Sequence, residues 1–101
     1  MISMKASDIE ANAFIDQFIS SLVLIPNSEL EKFLFKNERK AFQGVEYLAN
    51  SWIDSVAGKS LLVVEIERIA TFHSIVLCRG MLLNNERSIL GQEEMWNLGL
   101  G

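Results

Sequence analysis

His73 is the only histidine in the chain and Cys78 the only cysteine, so catalytic or metal-binding chemistry has few places to begin. Read as helix, the residues three and four positions from His73 are Ile69, Ala70, Val76 and Leu77. Side chains at those spacings meet on a helix face, and none of these four can orient an imidazole or share a metal with it. No Glu-x-x-His or His-Glu-x-x-His spacing is present, and zinc sites depend on clustered ligands. A working pocket at His73 therefore needs a carboxylate from another element or subunit. Cys78 has Arg79 beside it, but adjacent helical residues point to different sides, and no histidine lies one turn away to activate the thiol. A small buried hydrophobe is the expectation there.

Ala57-Gly-Lys-Ser60 matches the end of a phosphate-binding loop. The full motif requires a glycine five residues before Gly58, where Ile53 stands, and a preceding strand where the pattern reads as helix. Glu93 and Glu94 are adjacent and point two ways, and no Gly-x-Ser-x-Gly elbow exists. No catalytic residue, metal ligand or cofactor is predicted, and the chain is not expected to be an enzyme.

Two features suit a protein partner instead. On a helix continuous through Asn37, residues Lys32, Lys36, Arg39 and Lys40 form a basic stripe, which on an acidic chain complements an acidic protein surface. A cap at Asn37 would break the stripe, and a solvated polar face is the simpler reading of any charge run. The tail carries Met95, Trp96 and Leu98, and Trp and Met are enriched at interfaces. The competing reading folds Trp96 back as a lid on the core.

The element expected to position these groups is Ser60–Leu83, in which the only Gly is Gly80 and there is no Pro, Asn or Asp. Leu62, Ile66, Ile69, His73 and Val76 follow a 3.6-residue stripe that Val63, Ala70 and Leu77 widen. This predicts a central helix that is apolar on most sides and therefore buried. Ser7-Asp-Ile-Glu10 reads as a capping box opening a first helix that Pro26 stops, and Ser28-Glu-Leu-Glu31 repeats the signal. Ala41, Val45, Leu48, Trp52 and Val56 continue the helical spacing to Gly58. A short last helix is expected over Glu86–Asn97. The fold class predicted is all-α, a four- or five-helix bundle around residues 60–83. The alternative is α+β with a strand pair at Leu61–Glu67 and Ser74–Arg79, because Val and Ile favour sheets.

At 101 residues, half of them hydrophobic, the chain makes one domain over residues 1–101, with 1–6 and 98–101 frayed. A bundle this small covers such a central helix poorly, which predicts a homodimer. Net charge −4 argues against nucleic acid, and a single cysteine fits a reducing, cytoplasmic setting. No secretion signal stands out, and the ten charge-free residues Ile69–Cys78 fall short of the roughly 20 that span a bilayer. The expected function is binding another protein, as an adaptor, chaperone, inhibitor or immunity-type factor, plausibly microbial or phage-encoded. The alternatives are a small enzyme or ligand-binding module with a pocket near His73 and, more weakly, an acidic transcriptional regulator.

Overall fold

The computed structural model describes residues 5–56, 58–69, 74–84 and 86–98. Helix α1 covers Ala6–Ser21, and a 3₁₀ segment covers Asn27–Phe33. Five strands follow: β1 Glu38–Phe42, β2 Val45–Val56, β3 Lys59–Arg68, β4 Val76–Leu82 and β5 Ser88–Leu90. A short helix α2, Gln92–Asn97, ends the described chain. The strands form one antiparallel meander in the order β1-β2-β3-β4-β5.

This overturns the expected all-α bundle. The segment predicted as a central helix is β3 and β4, paired from Leu61 opposite Leu82 to Glu67 opposite Val76. The two strands named in the alternative overlap them. The reason lies in burial. Leu61, Leu62, Val63 and Val64 are all fully buried, because β3 is the central strand and both of its faces are covered. A strand covered on both sides loses its apolar–polar alternation and reads as a continuous apolar run.

The second predicted helix fails for a different reason. Leu48, Trp52 and Val56 are four residues apart, a spacing that shares a face on a helix and equally on a strand. Here they lie on one face of β2, while Tyr47, Ala49 and Ser51 are buried on the other. Gln43 and Gly44, at φ 49° and 77°, make the two-residue turn between β1 and β2. Positive φ at both positions suits the right-handed twist of the flanking strands.

One face of the sheet packs under α1. Ala11, Ile15 and Ile19 meet Tyr47, Ala49, Leu62, Val64, Ile66, Leu77 and Met81 in a single core. The opposite face carries a smaller cluster of Leu61, Val63, Cys78 and Met95, which α2 covers. Of the apolar residues assigned to that central helix, Leu61–Val64, Ile66 and Leu77 are buried within one chain while Ile69 is exposed, and the argument for a dimer from an under-covered helix lapses with the helix. Arg87, just before β5, donates to the carbonyls of Leu22 (2.7 Å) and Val23 (3.3 Å) and to Asn27, tying the end of α1 to the sheet.

The predicted capping box at Ser7 is shifted. Lys5 is the N-cap, and its backbone N–H donates to the Asp8 carboxylate at 2.9 Å. Among the described residues no helix is long and apolar enough to cross a membrane.

Candidate functional site

Three places gather polar or exposed side chains. The first is a buried network under the start of α1. Asp8 is fully buried; its Oδ2 accepts from Arg68 Nη1 at 2.7 Å, and its Oδ1 accepts from the Tyr47 hydroxyl at 2.5 Å. The Tyr47 oxygen is also 2.9 Å from the Ser7 hydroxyl. Burial, and then the bond to Asp8, raise the Tyr47 phenol above its usual range. A Tyr–Asp–Arg set resembles acid–base machinery, yet these side chains line neither of the clefts described below. Their work is to fasten α1 to β2 and β3. No local motif announced them. The only hint was Asp8 and Arg68 standing as lone charges in otherwise apolar faces.

The second is a cleft of about 390 Å³ at the β2–β3 end of the sheet, lined by Val56, Leu61, Leu82, Leu90 and Leu98 with Lys59 and Glu94. It is a mainly apolar hollow, with Lys59, Glu94 and Asn97 as the polar side chains in its wall.

The third is built on the edge of β4. β5 pairs only with Gly80, Met81 and Leu82, so among the described residues no strand pairs with Val76–Arg79 on that side. Four residues at roughly 3.3 Å each leave about 13 Å of open edge. An unpaired edge exposes backbone donors and acceptors that must be satisfied somehow. Here a side chain does it. The primary amide of Gln92 accepts from the Cys78 N–H at 2.7 Å and donates to the Val76 carbonyl at 2.7 Å. Arg79 curls round to donate to the Cys78 carbonyl at 2.8 Å. The same guanidinium holds Asp16 at 2.9 Å and Asn12 at 2.5 Å on α1. The edge opens into a cleft of about 410 Å³ whose walls include Asn12, Ile75, Val76, Leu77 and Trp96.

Helix α2 is held in place from below. Met95 is fully buried, and its Sδ fills the space where a side chain at position 80 would begin: a Cβ on Gly80 would lie 2.3 Å from it. With Met95 facing the sheet, Gln92 and Trp96 are four residues apart and share another side of the helix. Trp96 is 58% exposed.

On the α2 face, Glu65 lies opposite Cys78 and Glu67 opposite Val76. Both are half-buried, and neither has a cation within ion-pair distance among the described residues. Partial burial, reinforced by the nearby Glu67, raises the Glu65 carboxyl above its ordinary value. Cys78 is fully buried, and its thiol is pushed up to about 11 by burial first and by Glu65 second, with Arg79 opposing.

The sequence-predicted sites fare unevenly. Lys32 is exposed and paired with Glu29, and Lys36 is exposed ahead of β1. Arg39 and Lys40 are adjacent on a strand and so point to opposite faces. Arg39 bonds Glu46 at 3.1 Å, while Lys40 Nζ lies over the rings of Phe14 and Phe35 at 5.4 and 4.8 Å. The four cations therefore form no stripe, because the helix that would align them is absent. Asn37 instead donates its N–H to Asn50 Oδ1 at 2.9 Å. Met95 is core, whereas Trp96 on α2 and Leu98 just after it are exposed. Gly58, from the phosphate-loop fragment, sits in the turn between β2 and β3 at φ 75°. His73 lies outside the described residues. Among the described residues no three His, Cys, Asp or Glu side chains gather as a metal site requires. Gln92 was missed because a lone glutamine beside Gly91 carries no signal until the strand it serves is known.

Compared with protein-family models, curated proteins and solved structures, the chain matches none.

Proposed function

We propose that this protein binds another protein by accepting an extended segment of it as an additional strand along β4. One observation carries the reading. The side-chain amide of Gln92, chemically a peptide group, occupies the donor of Cys78 and the acceptor of Val76 at 2.7 Å each. A backbone presenting a carbonyl and an N–H in the same place makes the same two bonds, and strand addition of this kind is a recurring mode of peptide recognition. The cleft beside the edge supplies room for alternate side chains, and Trp96 supplies an exposed aromatic surface. Adaptor, chaperone, inhibitor and immunity-type roles all fit this mode of binding. A cytoplasmic setting belongs to the same reading and is supported by the single, buried cysteine.

The test is a screen of extended peptides, read by amide chemical shifts in the ¹⁵N-labelled protein. Binders should move the amides of Val76–Arg79, and N-methylation of alternate peptide nitrogens should abolish binding. Gln92→Ala removes one internal competitor, leaving Arg79 on the Cys78 carbonyl, and should tighten binding severalfold. A binder whose shifts map to the Phe14–Phe18–Phe35 side of α1, or one indifferent to N-methylation, would refute strand addition.

A further inference from the structure

We infer that the segment taken up at β4 is basic on one face, with lysine or arginine at alternate positions reading Glu65 and Glu67; this rests on the strand-addition reading above. On a strand laid against β4, the side chains opposite Val76 and Cys78 point to the α2 face of the sheet. Glu67 and Glu65 stand one strand further in, on that same face. Two strand spacings come to roughly 9.6 Å, which a long cationic side chain and a glutamate bridge between them. The stem of the lysine or arginine opposite Val76 would cross that half-buried residue towards the glutamates, an apolar path that suits its methylenes.

The charge pattern selects this occupant. Glu65 and Glu67 are half-buried without a counterion among the described residues, and mutual repulsion with partial desolvation is a cost that an incoming cation relieves. Trp96, exposed in the wall of the cleft, offers a ring face to a second cation. The opposite face of the edge has the reverse character. Leu77 is buried there, and Arg79 is already engaged by Asp16 and Asn12, so a lysine on that side meets a like charge. The segment is therefore apolar toward α1 and basic toward α2, in strict alternation.

Three acetylated, amidated heptapeptides test this: valine alternating with lysine, with threonine, or with glutamate. Isothermal titration at low salt should give a Kd at least tenfold lower for the lysine peptide than for the threonine peptide, with the glutamate peptide weakest. In E65Q/E67Q the lysine–threonine ratio should fall toward one while threonine-peptide binding persists, which shows the fold intact. E29Q/E31Q removes two charges from the 3₁₀ segment and should preserve the preference. Equal binding of the lysine and threonine peptides by the unaltered protein overturns the charge inference and leaves strand addition standing. A preference that survives E65Q/E67Q, or disappears equally in E29Q/E31Q, overturns the assignment to Glu65 and Glu67. Failure of all three peptides to bind, in the Gln92→Ala variant as well, overturns strand addition itself.

Discussion

Asp8→Ala removes the group at the centre of the buried network that fastens the start of α1 to β2 and β3. The carboxylate accepts from Arg68, from Tyr47 and from the Lys5 N–H, and it is fully buried. Its loss leaves the Arg68 guanidinium 6% exposed and unpaired, with Nε already lacking a partner. Breaking a buried pair by removing one member costs roughly 3–5 kcal/mol, chiefly for the stranded charge. The Tyr47 bond belongs to the same network, so its loss does not simply add. A figure of about 4 kcal/mol is a large part of the roughly 5–15 kcal/mol that holds a small domain together. With a urea m-value of about 2 kcal/mol/M, the midpoint should fall by roughly 2 M at unchanged slope. The assay is urea unfolding at neutral pH, followed by tryptophan fluorescence and circular dichroism. The double variant Asp8→Leu/Arg68→Met should recover most of the loss, since apolar replacement of a buried pair is often neutral or better. A loss under about 1 kcal/mol for Asp8→Ala, or a double variant no more stable than the single, would show that the network does not hold α1.

Met95→Ala empties the space over Gly80 and should cost about 2 kcal/mol, the low end for a buried methionine. It should also release Gln92 from β4, so amide exchange at Cys78 should accelerate well beyond that of Leu62; equal protection in both proteins would disprove the coupling. With its thiol pushed up to about 11, Cys78 should resist a disulfide reagent at pH 8 in the folded protein and react readily in urea; fast labelling of the native state would contradict the burial. Because the folded state raises the Glu65 carboxyl above its unfolded value, Glu65 leaves stability intact at low pH and erodes it as pH rises through that carboxyl's titration. Glu65→Gln should therefore raise the melting temperature at pH 7, with the gain fading below the ordinary carboxylate value of 4.5; a gain independent of pH would point to another cause.

Much of the chain's local character was readable without coordinates. The Ser7-Asp-Ile-Glu10 signal and Pro26 bracket the first helix, and α1 covers Ala6–Ser21 between them, but its buried face is Ala11, Ile15 and Ile19, and Ile9 is exposed. Gly58 was read as the cap of a helix and is instead in the turn between β2 and β3. β3 and β4 were legible only as the alternative strand pair, and β1, β2 and β5 were not marked. A spacing of four at Leu48, Trp52 and Val56 satisfies helix and strand alike, and residues 69–75, between β3 and β4, contain no Gly, Pro, Asn or Asp to signal a turn. The Gln43-Gly44 turn carries a glycine but lacks the asparagine or aspartate that usually precedes it.

Composition and charge pattern were enough to specify the chain's acidity and a core rich in branched aliphatic residues. The choice between rod and ribbon was made by assembly. β3 is apolar on both sides because α1 covers one face and α2 the other, and nothing within residues 59–68 encodes the presence of those covers. The same holds for the edge of β4. Gln92 becomes a surrogate strand only because β5 stops at Leu90, opposite Gly80, and Met95 anchors α2 beside the gap. Hydrogen bonding between segments fourteen or more residues apart is set by where the sheet ends, and that is a property of the folded whole.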